Sequence, residues 1–240
     1  VVSTFLNSKI NKSYCSRSNR YKVFETKGSE SAFNSVNSVK SGCYIKFNLN
    51  QQPFSIEETT WYDLPIEVEK KKNELKNMSP LDLYEECMVI FQDAVNIRLR
   101  SDVPLAVSLS GGLDSSSIAS YASTQVDGLE GFCFGSPASI STEGPIVSKF
   151  SKLNNIKDNY IWPTYNKAEI KSMFYNTLSA QEAPFGGLSV MAQFEVYKSV
   201  KESGFKVLLG GQGGDEAFAG YRKFFITAIR EALFQKKLVN

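Results

Sequence analysis

From residue 79 onward, short apolar runs alternate with longer segments whose apolar residues recur every three or four positions. The helical spacing is clear over 81–98, where Ser79 and Pro80 supply an N-cap and a first-turn proline. The pattern predicts buried strands at 103–108, 129–134, 160–162 and 206–209, and helices at 79–98, 115–124, 144–153, 167–178, 189–203 and from about 215. Such alternation predicts an α/β fold, a parallel sheet with helices on both faces.

The first 65 residues have a different pattern. They are rich in Ser, Asn and Lys, and alternating patches such as 43–49 predict short strands, too few to enclose a core alone. A charged stretch follows and predicts a linker. We therefore expect three parts: a β-rich region over 1–65, a linker over 66–78 and an α/β domain over 79–240.

Composition narrows the chemistry. The 240 residues are 42% hydrophobic and 22% charged with a net charge of +2, which is typical of a soluble globular protein and favours no nucleic-acid partner. No apolar run approaches the roughly 18 residues that cross a membrane, and no signal peptide is visible, so we expect a cytoplasmic protein without membrane contact. Histidine is absent, which excludes Ser-His-Asp and Cys-His catalysis within the chain. The four cysteines lack CxxC spacing, which favours free thiols.

The strongest candidate site is the turn after the strand at 103–108, which reads Ser-Gly-Gly-Leu-Asp-Ser-Ser over 110–116. Adjacent glycines let successive N–H groups point into one concavity, and the following helix adds its positive dipole end. Without a lysine this is not the GxxxxGK[ST] loop, and it predicts cleavage of ATP between the α and β phosphates. We expect Asp114 to hold Mg²⁺ bridging to the pyrophosphate; a capped turn without a ligand is the alternative. The candidate pyrophosphate-binding residues are Ser110, Gly111, Gly112, Ser115 and Ser116.

A second glycine-rich turn follows the strand at 206–209 and reads Gly-Gly-Gln-Gly-Gly-Asp-Glu over 210–216. Its glycines predict a close approach of backbone to ligand. Asp215 is expected to complete the metal site with Asp114, whereas Glu216 either joins the site or caps the next helix. Both turns fall at the carboxyl ends of strands, where ligands bind in parallel sheets.

The two turns, in this order, resemble the signatures of a known family. Residues 110–116 are similar to the pyrophosphate loop of the ATP-pyrophosphatase (PP-loop) superfamily. Residues 211–216, followed by Gly220-Tyr221, resemble the second signature of glutamine-hydrolysing asparagine synthetases. Smaller stretches also resemble this family: 61–65 the junction between its glutaminase and synthetase domains, 131–135 the strand beside adenine, and 181–186 the segment before the second signature.

The resemblance implies a Rossmann-like adenine nucleotide alpha-hydrolase-like fold and a two-step reaction. ATP and the side-chain carboxylate of aspartate would give β-aspartyl-AMP and pyrophosphate, and ammonia from glutamine would then give asparagine and AMP. A homodimer is one expected assembly. The residues carried over by position are Leu109, Phe134, Gly210 and Gly211 for the nucleotide, Asp114 and Asp215 for Mg²⁺, and Gln212 and Glu182 for catalysis.

Three departures from the family pattern shape the expectation. The glutaminase uses an N-terminal cysteine, whereas this chain begins with Val1; residues 1–65 then resemble only the end of that domain, and glutamine hydrolysis is not expected here. Many members carry Glu where Gln212 stands, and an amide cannot accept a proton at neutral pH. The family domain also runs past Asn240 and supplies a lysine there, so we expect a chain truncated at both ends.

Two other interpretations remain open. One is a related PP-loop amidotransferase that acts on another carboxylate, such as a β-lactam-forming synthetase or an enzyme that amidates surface polysaccharides. The other is a nucleotide-binding fragment without catalytic activity. A tRNA-thiolating relative is disfavoured by the near-neutral charge and the lack of paired cysteines.

Overall fold

The secondary structure follows the alternating pattern in a computed structural model, which describes residues 9–21, 29–50, 52–53, 55–139, 142–162 and 166–234. The chain divides into two units, Val1–Cys87 with Tyr165–Met191 and Met88–Thr164 with Ala192–Asn240. The elements of the described residues are, in chain order, α1 (Lys12–Tyr21), β1 (Cys43–Asn48), β2 (Ser55–Thr60), α2 (Leu64–Leu75), α3 (Pro80–Leu99), β3 (Leu105–Ser108), α4 (Leu113–Ser123), β4 (Glu130–Phe134), α5 (Gly144–Leu153), β5 (Lys157–Ile161), α6 (Lys167–Gln181), α7 (Leu188–Glu202), β6 (Val207–Leu209), α8 (Gly214–Ala217) and α9 (Arg222–Phe234).

A four-stranded parallel sheet forms the centre of the second unit. Its order is β5-β4-β3-β6, so β3 pairs with β4 on one side and with β6 on the other. Ala106, for example, lies opposite Glu130 in β4 and Leu208 in β6. The predicted α/β fold with a parallel sheet is confirmed.

Helices cover both faces of this sheet because alternate strand residues point to opposite sides. Val107 and Cys133 belong to a core that includes Val95 of α3, Ala119 of α4 and Val147 of α5. The other face has its own core, in which the strand residues Ala106 and Phe132 meet Val196 and Val200 of α7. Because both faces are buried, the interior strands β3 and β4 read as largely apolar runs, which is what identified them in the sequence.

Several boundaries differ from the predicted ones. The charged segment expected as a linker over 66–78 is largely the helix α2, which begins where Asp63 accepts a hydrogen bond from the Ile66 amide at 3.2 Å. Its charges pair within the helix, as in Lys71–Glu74 at 3.4 Å, so a pattern taken for a solvated linker stabilises a helix instead. The last helix is split into α8 and α9, because Ala219 between them has a left-handed φ of 56°. The division into domains stays a prediction.

The first unit contains a two-stranded antiparallel ribbon of β1 and β2. Short strands were predicted here, whereas the helix α1 was not. Phe47 lies opposite Ile56, and their side chains are 57% and 65% exposed. Assignment of this region to the end of a glutaminase domain stays a prediction.

The described helices include none that is both long and apolar enough to span a bilayer. All four cysteines are free thiols. Cys133 is buried within β4, and the loss of hydration there raises the pKa of its thiol to about 11. This thiol is therefore protonated and unreactive in the folded chain near neutral pH.

Candidate active site

The candidate site is a cavity of about 620 Å³ in the second unit, where β3 and β6 end side by side. From β3 the chain runs on to β4 on one side, while β6 lies on the other, so the crevice sits where the strand order reverses. Ligands of open α/β sheets bind at such a point. The cavity is lined by the two turns and by the start of the segment after them: Ser108, Ser110, Gly112, Leu113, Asp114, Ser115, Gly211, Gln212, Gly213, Gly214, Asp215, Glu216, Phe218, Gly220 and Tyr221.

The first turn brings the chain from β3 into the amino end of α4. Gly111 has a φ of +72°, a left-handed conformation that glycine adopts without strain. Gly112 is the N-cap, and it supplies no side-chain hydrogen bond to the helix. The first amides of α4 therefore lack a side-chain cap, and with the helix dipole they form an arrangement suited to an anion.

A hydrogen-bonded pair of serines holds this turn in shape. The Ser115 hydroxyl accepts from the Ser110 amide at 3.2 Å, lies 2.9 Å from the Ser110 hydroxyl, and donates to the Gly112 carbonyl at 3.3 Å. Ser115 is only 7% exposed. Its hydroxyl therefore organises the turn, while the more accessible Ser110 is better placed to contact a ligand.

The second turn packs directly against the first. The position that a Cβ of Gly211 would occupy is 2.9 Å from the Ser115 amide nitrogen and 3.0 Å from the Asp114 Cβ. The Cβ position of Gly214 falls on the Asp114 carboxylate, and that of Gly210 on the Gln212 side-chain oxygen. Residues larger than glycine could not occupy these positions without movement, so the two turns form one site.

The cavity has an acidic lining. Asp114, Asp215 and Glu216 all line it, and no Lys or Arg is found among its described lining residues. A polyphosphate needs a cation in such surroundings. Mg²⁺ fits, because it commonly binds through one or two carboxylates together with substrate phosphates. The described residues contain no group of three His, Cys, Asp or Glu that could hold a metal by themselves.

The structure brings together many of the residues predicted from the sequence. Those that line the cavity are Ser110, Gly112, Asp114, Ser115, Gly211, Gln212 and Asp215. Gly111 shapes the turn, and Ser116 lies in the first turn of α4, where its amide donates to the Gly112 carbonyl at 3.1 Å. Gly210 follows β6, and the Gln212 side chain occupies the position that a Cβ of Gly210 would take.

The remaining predicted residues lie outside this lining. Leu109 is buried in the core, and its amide donates to the Phe132 carbonyl at 2.8 Å. Phe134 ends β4 with its ring edge-on to Trp162, the ring centres 5.7 Å apart. Glu182 belongs to the first unit, where it ends α6 with a left-handed φ of 54°. The adenine and catalytic roles given to these residues stay predictions.

Several lining residues had no role assigned from the sequence. Tyr221 donates a hydrogen bond to Glu216 at 2.9 Å, and the Lys223 ammonium lies 4.6 Å from the centre of the tyrosine ring. Phe218, 67% exposed, lines the cavity as well. Sequence reasoning missed these residues because it predicted one continuous helix from about 215. In the structure the helix is interrupted over 218–221, and this interruption places Phe218 and Tyr221 at the cavity.

Comparison with known proteins places these observations in a family. Residues 89–238, well over half of the chain, match the asparagine synthase family model. Amidase chry2 of Gibberella zeae is 26% identical over 247 residues, covering 96% of this chain and 35% of that protein. The glutamine-hydrolyzing asparagine synthetase 2 of Bacillus subtilis is 26% identical over 200 residues, covering 81% of this chain and 26% of that protein. The glutamine-hydrolyzing asparagine synthetase of Sandersonia aurantiaca is 30% identical over 155 residues, covering 60% of this chain and 29% of that protein.

The chain thus spans between about a quarter and about a third of the length of these relatives. The matched region contains both glycine-rich turns and every residue that lines the cavity. On the extent of the family match, and in agreement with the resemblance of its two turns, this chain belongs to the asparagine synthase family.

Proposed function

We propose that this chain carries the ATP-binding and carboxylate-activating part of an amide-forming ligase. One observation carries the proposal: a helix amino end without a side-chain cap and two aspartates line the same cavity at the carboxyl edge of the sheet. The names of relatives from Bacillus subtilis and Sandersonia aurantiaca, both asparagine synthetases, support aspartate as the acceptor and glutamine as the source of ammonia. A cytoplasmic location and a homodimer belong to the same proposal.

In the first step, an oxygen of the acceptor carboxylate bonds to the α-phosphorus of ATP. The bond from that phosphorus to the bridging oxygen breaks, and pyrophosphate leaves with the electron pair. The amides at the amino end of α4 and the Ser110 hydroxyl would bind this leaving group. Asp114 and Asp215 would hold Mg²⁺, which when bound neutralises the negative charge of the pyrophosphate.

In the second step, ammonia attacks the carbonyl carbon of the acyl adenylate, AMP leaves with the electron pair of the carbon–oxygen bond, and the nitrogen loses a proton to solvent water. Gln212 can donate and accept hydrogen bonds but cannot take up this proton, so its role would be to orient the nucleophile. Glu182 is the second proposed catalytic residue. Its left-handed backbone costs free energy in any residue other than glycine, and such strain is often retained at functional sites.

Isotope exchange between ATP and labelled pyrophosphate tests the first step, with the full chain, Mg²⁺ and aspartate. We expect exchange that depends on both Mg²⁺ and the carboxylate, and formation of AMP with asparagine once ammonium is added. If ATP binds but no carboxylate supports exchange, the chain is a nucleotide-binding fragment and the catalytic proposal is wrong.

A related ligase acting on a different carboxylate is the second candidate. Two observations favour it: amidase chry2, a relative that aligns with 96% of this chain, is named an amidase, and Gln212 replaces the expected Glu. The same exchange assay with a panel of carboxylic acids separates the candidates. Exchange that requires an acid other than aspartate would support this candidate and remove the asparagine assignment.

A further inference from the structure

Each of the two aspartates that line the cavity lies against a glycine. The Asp114 carboxylate occupies the space that a side chain at Gly214 would need, so that even its farther oxygen, Oδ1, is 2.8 Å from the Cβ position. At Gly220 the Cβ position falls on the Asp215 carboxylate, 2.9 Å from its Cγ. These are two separate contacts of the same kind, one between the two turns and one between the second turn and the segment that follows it.

Backbone conformation does not explain glycine at either position. Gly213 has a φ of +96° and open space around it, so a left-handed backbone alone accounts for that glycine. Gly214 and Gly220 are not among the described residues with a positive φ, and Gly214 is the first residue of α8, where alanine would be the better helix former. What distinguishes both positions is the carboxylate that fills the side-chain space.

We propose that Gly214 and Gly220 are positioning residues, whose missing side chains fix the orientations of the Asp114 and Asp215 carboxylates. A bulkier residue would force each aspartate into another rotamer, away from the arrangement in which both line the cavity. The binding of a divalent cation and a nucleotide by Asp114 and Asp215 rests on the proposed function. The contact between each glycine and its carboxylate is independent of that function. The inference concerns how the site is held, not which carboxylate is activated.

A double-mutant cycle in the full chain tests the contact itself. Urea unfolding is measured for the wild type, Gly214→Ala, Asp114→Ala and the double variant. We expect Gly214→Ala to lower the unfolding midpoint in the wild type but not in the Asp114→Ala background, where no carboxylate meets the new methyl group. Equal losses in the two backgrounds would overturn the inference. Gly220→Ala with Asp215→Ala forms a second cycle, which decides the matter if Gly214→Ala does not fold.

Mn²⁺ binding tests positioning apart from stability, using electron paramagnetic resonance with α,β-methylene-ATP as the nucleotide. Gly214→Ala should weaken Mn²⁺ binding by about tenfold or more, the range seen when groups that orient metal ligands are altered. Gly204→Ala is the matched control: with φ +87° and open space it strains the backbone elsewhere, so it should destabilise without changing Mn²⁺ affinity. Unchanged affinity in Gly214→Ala would reduce Gly214 to a structural role. A wild-type chain that binds no Mn²⁺ with the nucleotide would instead contradict the proposed function, while the unfolding cycle would still decide the inference.

Discussion

The hydroxyl oxygens of Ser110 and Ser115 lie 2.9 Å apart, and the Ser115 hydroxyl also accepts from the Ser110 amide. Ser115→Ala would take away the hydrogen-bonding partner of the Ser110 amide and hydroxyl and of the Gly112 carbonyl. We expect the free energy of unfolding to fall by about 1–3 kcal/mol, and pyrophosphate exchange to fall as the turn loses its shape. Ser117→Ala, on the exposed side of the same helix, is the control and should change neither by much. Equal effects of the two substitutions would remove the organising role of Ser115.

The charge of Asp114 is expected to be essential for exchange. Asp114→Asn keeps the size of the side chain but removes the negative charge that would hold Mg²⁺. We expect Mg²⁺-dependent ATP–pyrophosphate exchange to drop by about 100-fold, which corresponds to roughly 2.7 kcal/mol of transition-state stabilisation. Asp127→Asn, an exposed carboxylate outside the cavity lining, should leave exchange unchanged. Exchange at the wild-type rate in Asp114→Asn would show that the metal role is wrong.

Gln212→Glu should separate the two steps of the proposed reaction. A fourth carboxylate in a cavity already lined by three would weaken ATP binding, so the KM for ATP should rise. The new carboxylate can accept a proton, so amide formation from ammonium should become faster relative to exchange at neutral pH. The ratio of amide product to exchange measures this, with Gln125→Glu on the surface as the control. An unchanged ratio would argue against a role for residue 212 in the nitrogen step.

Backbone strain at Glu182 gives a prediction about stability. Asparagine tolerates the left-handed conformation better than other residues with side chains, so Glu182→Asn should raise the free energy of unfolding, by up to about 1 kcal/mol. Glu182→Gln keeps the strain and should leave stability nearly unchanged. If Glu182 is catalytic, both variants should lose activity while their stabilities differ. Full activity in Glu182→Gln would remove it from the proposed catalytic residues.

Acid should weaken the sheet through Glu130. Its hydrogen bonds to Lys157 at 2.8 Å and to Asn159 at 3.0 Å lower the pKa of this carboxyl below its ordinary value, the Lys157 contact being the larger cause. Because the folded-state pKa is depressed, the resulting stability is present above the ordinary pKa and is lost as pH falls through the folded value. Lys157→Met should therefore flatten the fall in stability as pH drops below the ordinary pKa of a glutamate, as followed by urea unfolding. An unchanged slope would show that this pair does not contribute.

The sequence predicted the features that local chemistry determines. The interior strands of the sheet are largely apolar runs in the sequence. The turn at 110–116 is recognisable from its adjacent glycines and its hydroxyl side chains. β5 was placed too late because it is an edge strand, and polar residues such as Asp158 are compatible with that position. The contact between Gly214 and Asp114 could not be predicted, because it depends on β6 pairing with β3 rather than on any neighbour in sequence.

That pairing also governs when the site comes into existence. Ala106 and Leu208 are partners across the sheet but lie on the order of 100 residues apart along the chain, a distance that synthesis covers in roughly 5–20 s. Throughout that interval the β3 edge facing β6 is unpaired, and the first turn has emerged without the second. A nucleotide that contacts both turns would then stabilise only chains in which β6 has joined the sheet, since ligands favour the state that binds them. Nucleotide binding would therefore act late in the folding of this sheet, favouring chains in which β6 is already paired with β3.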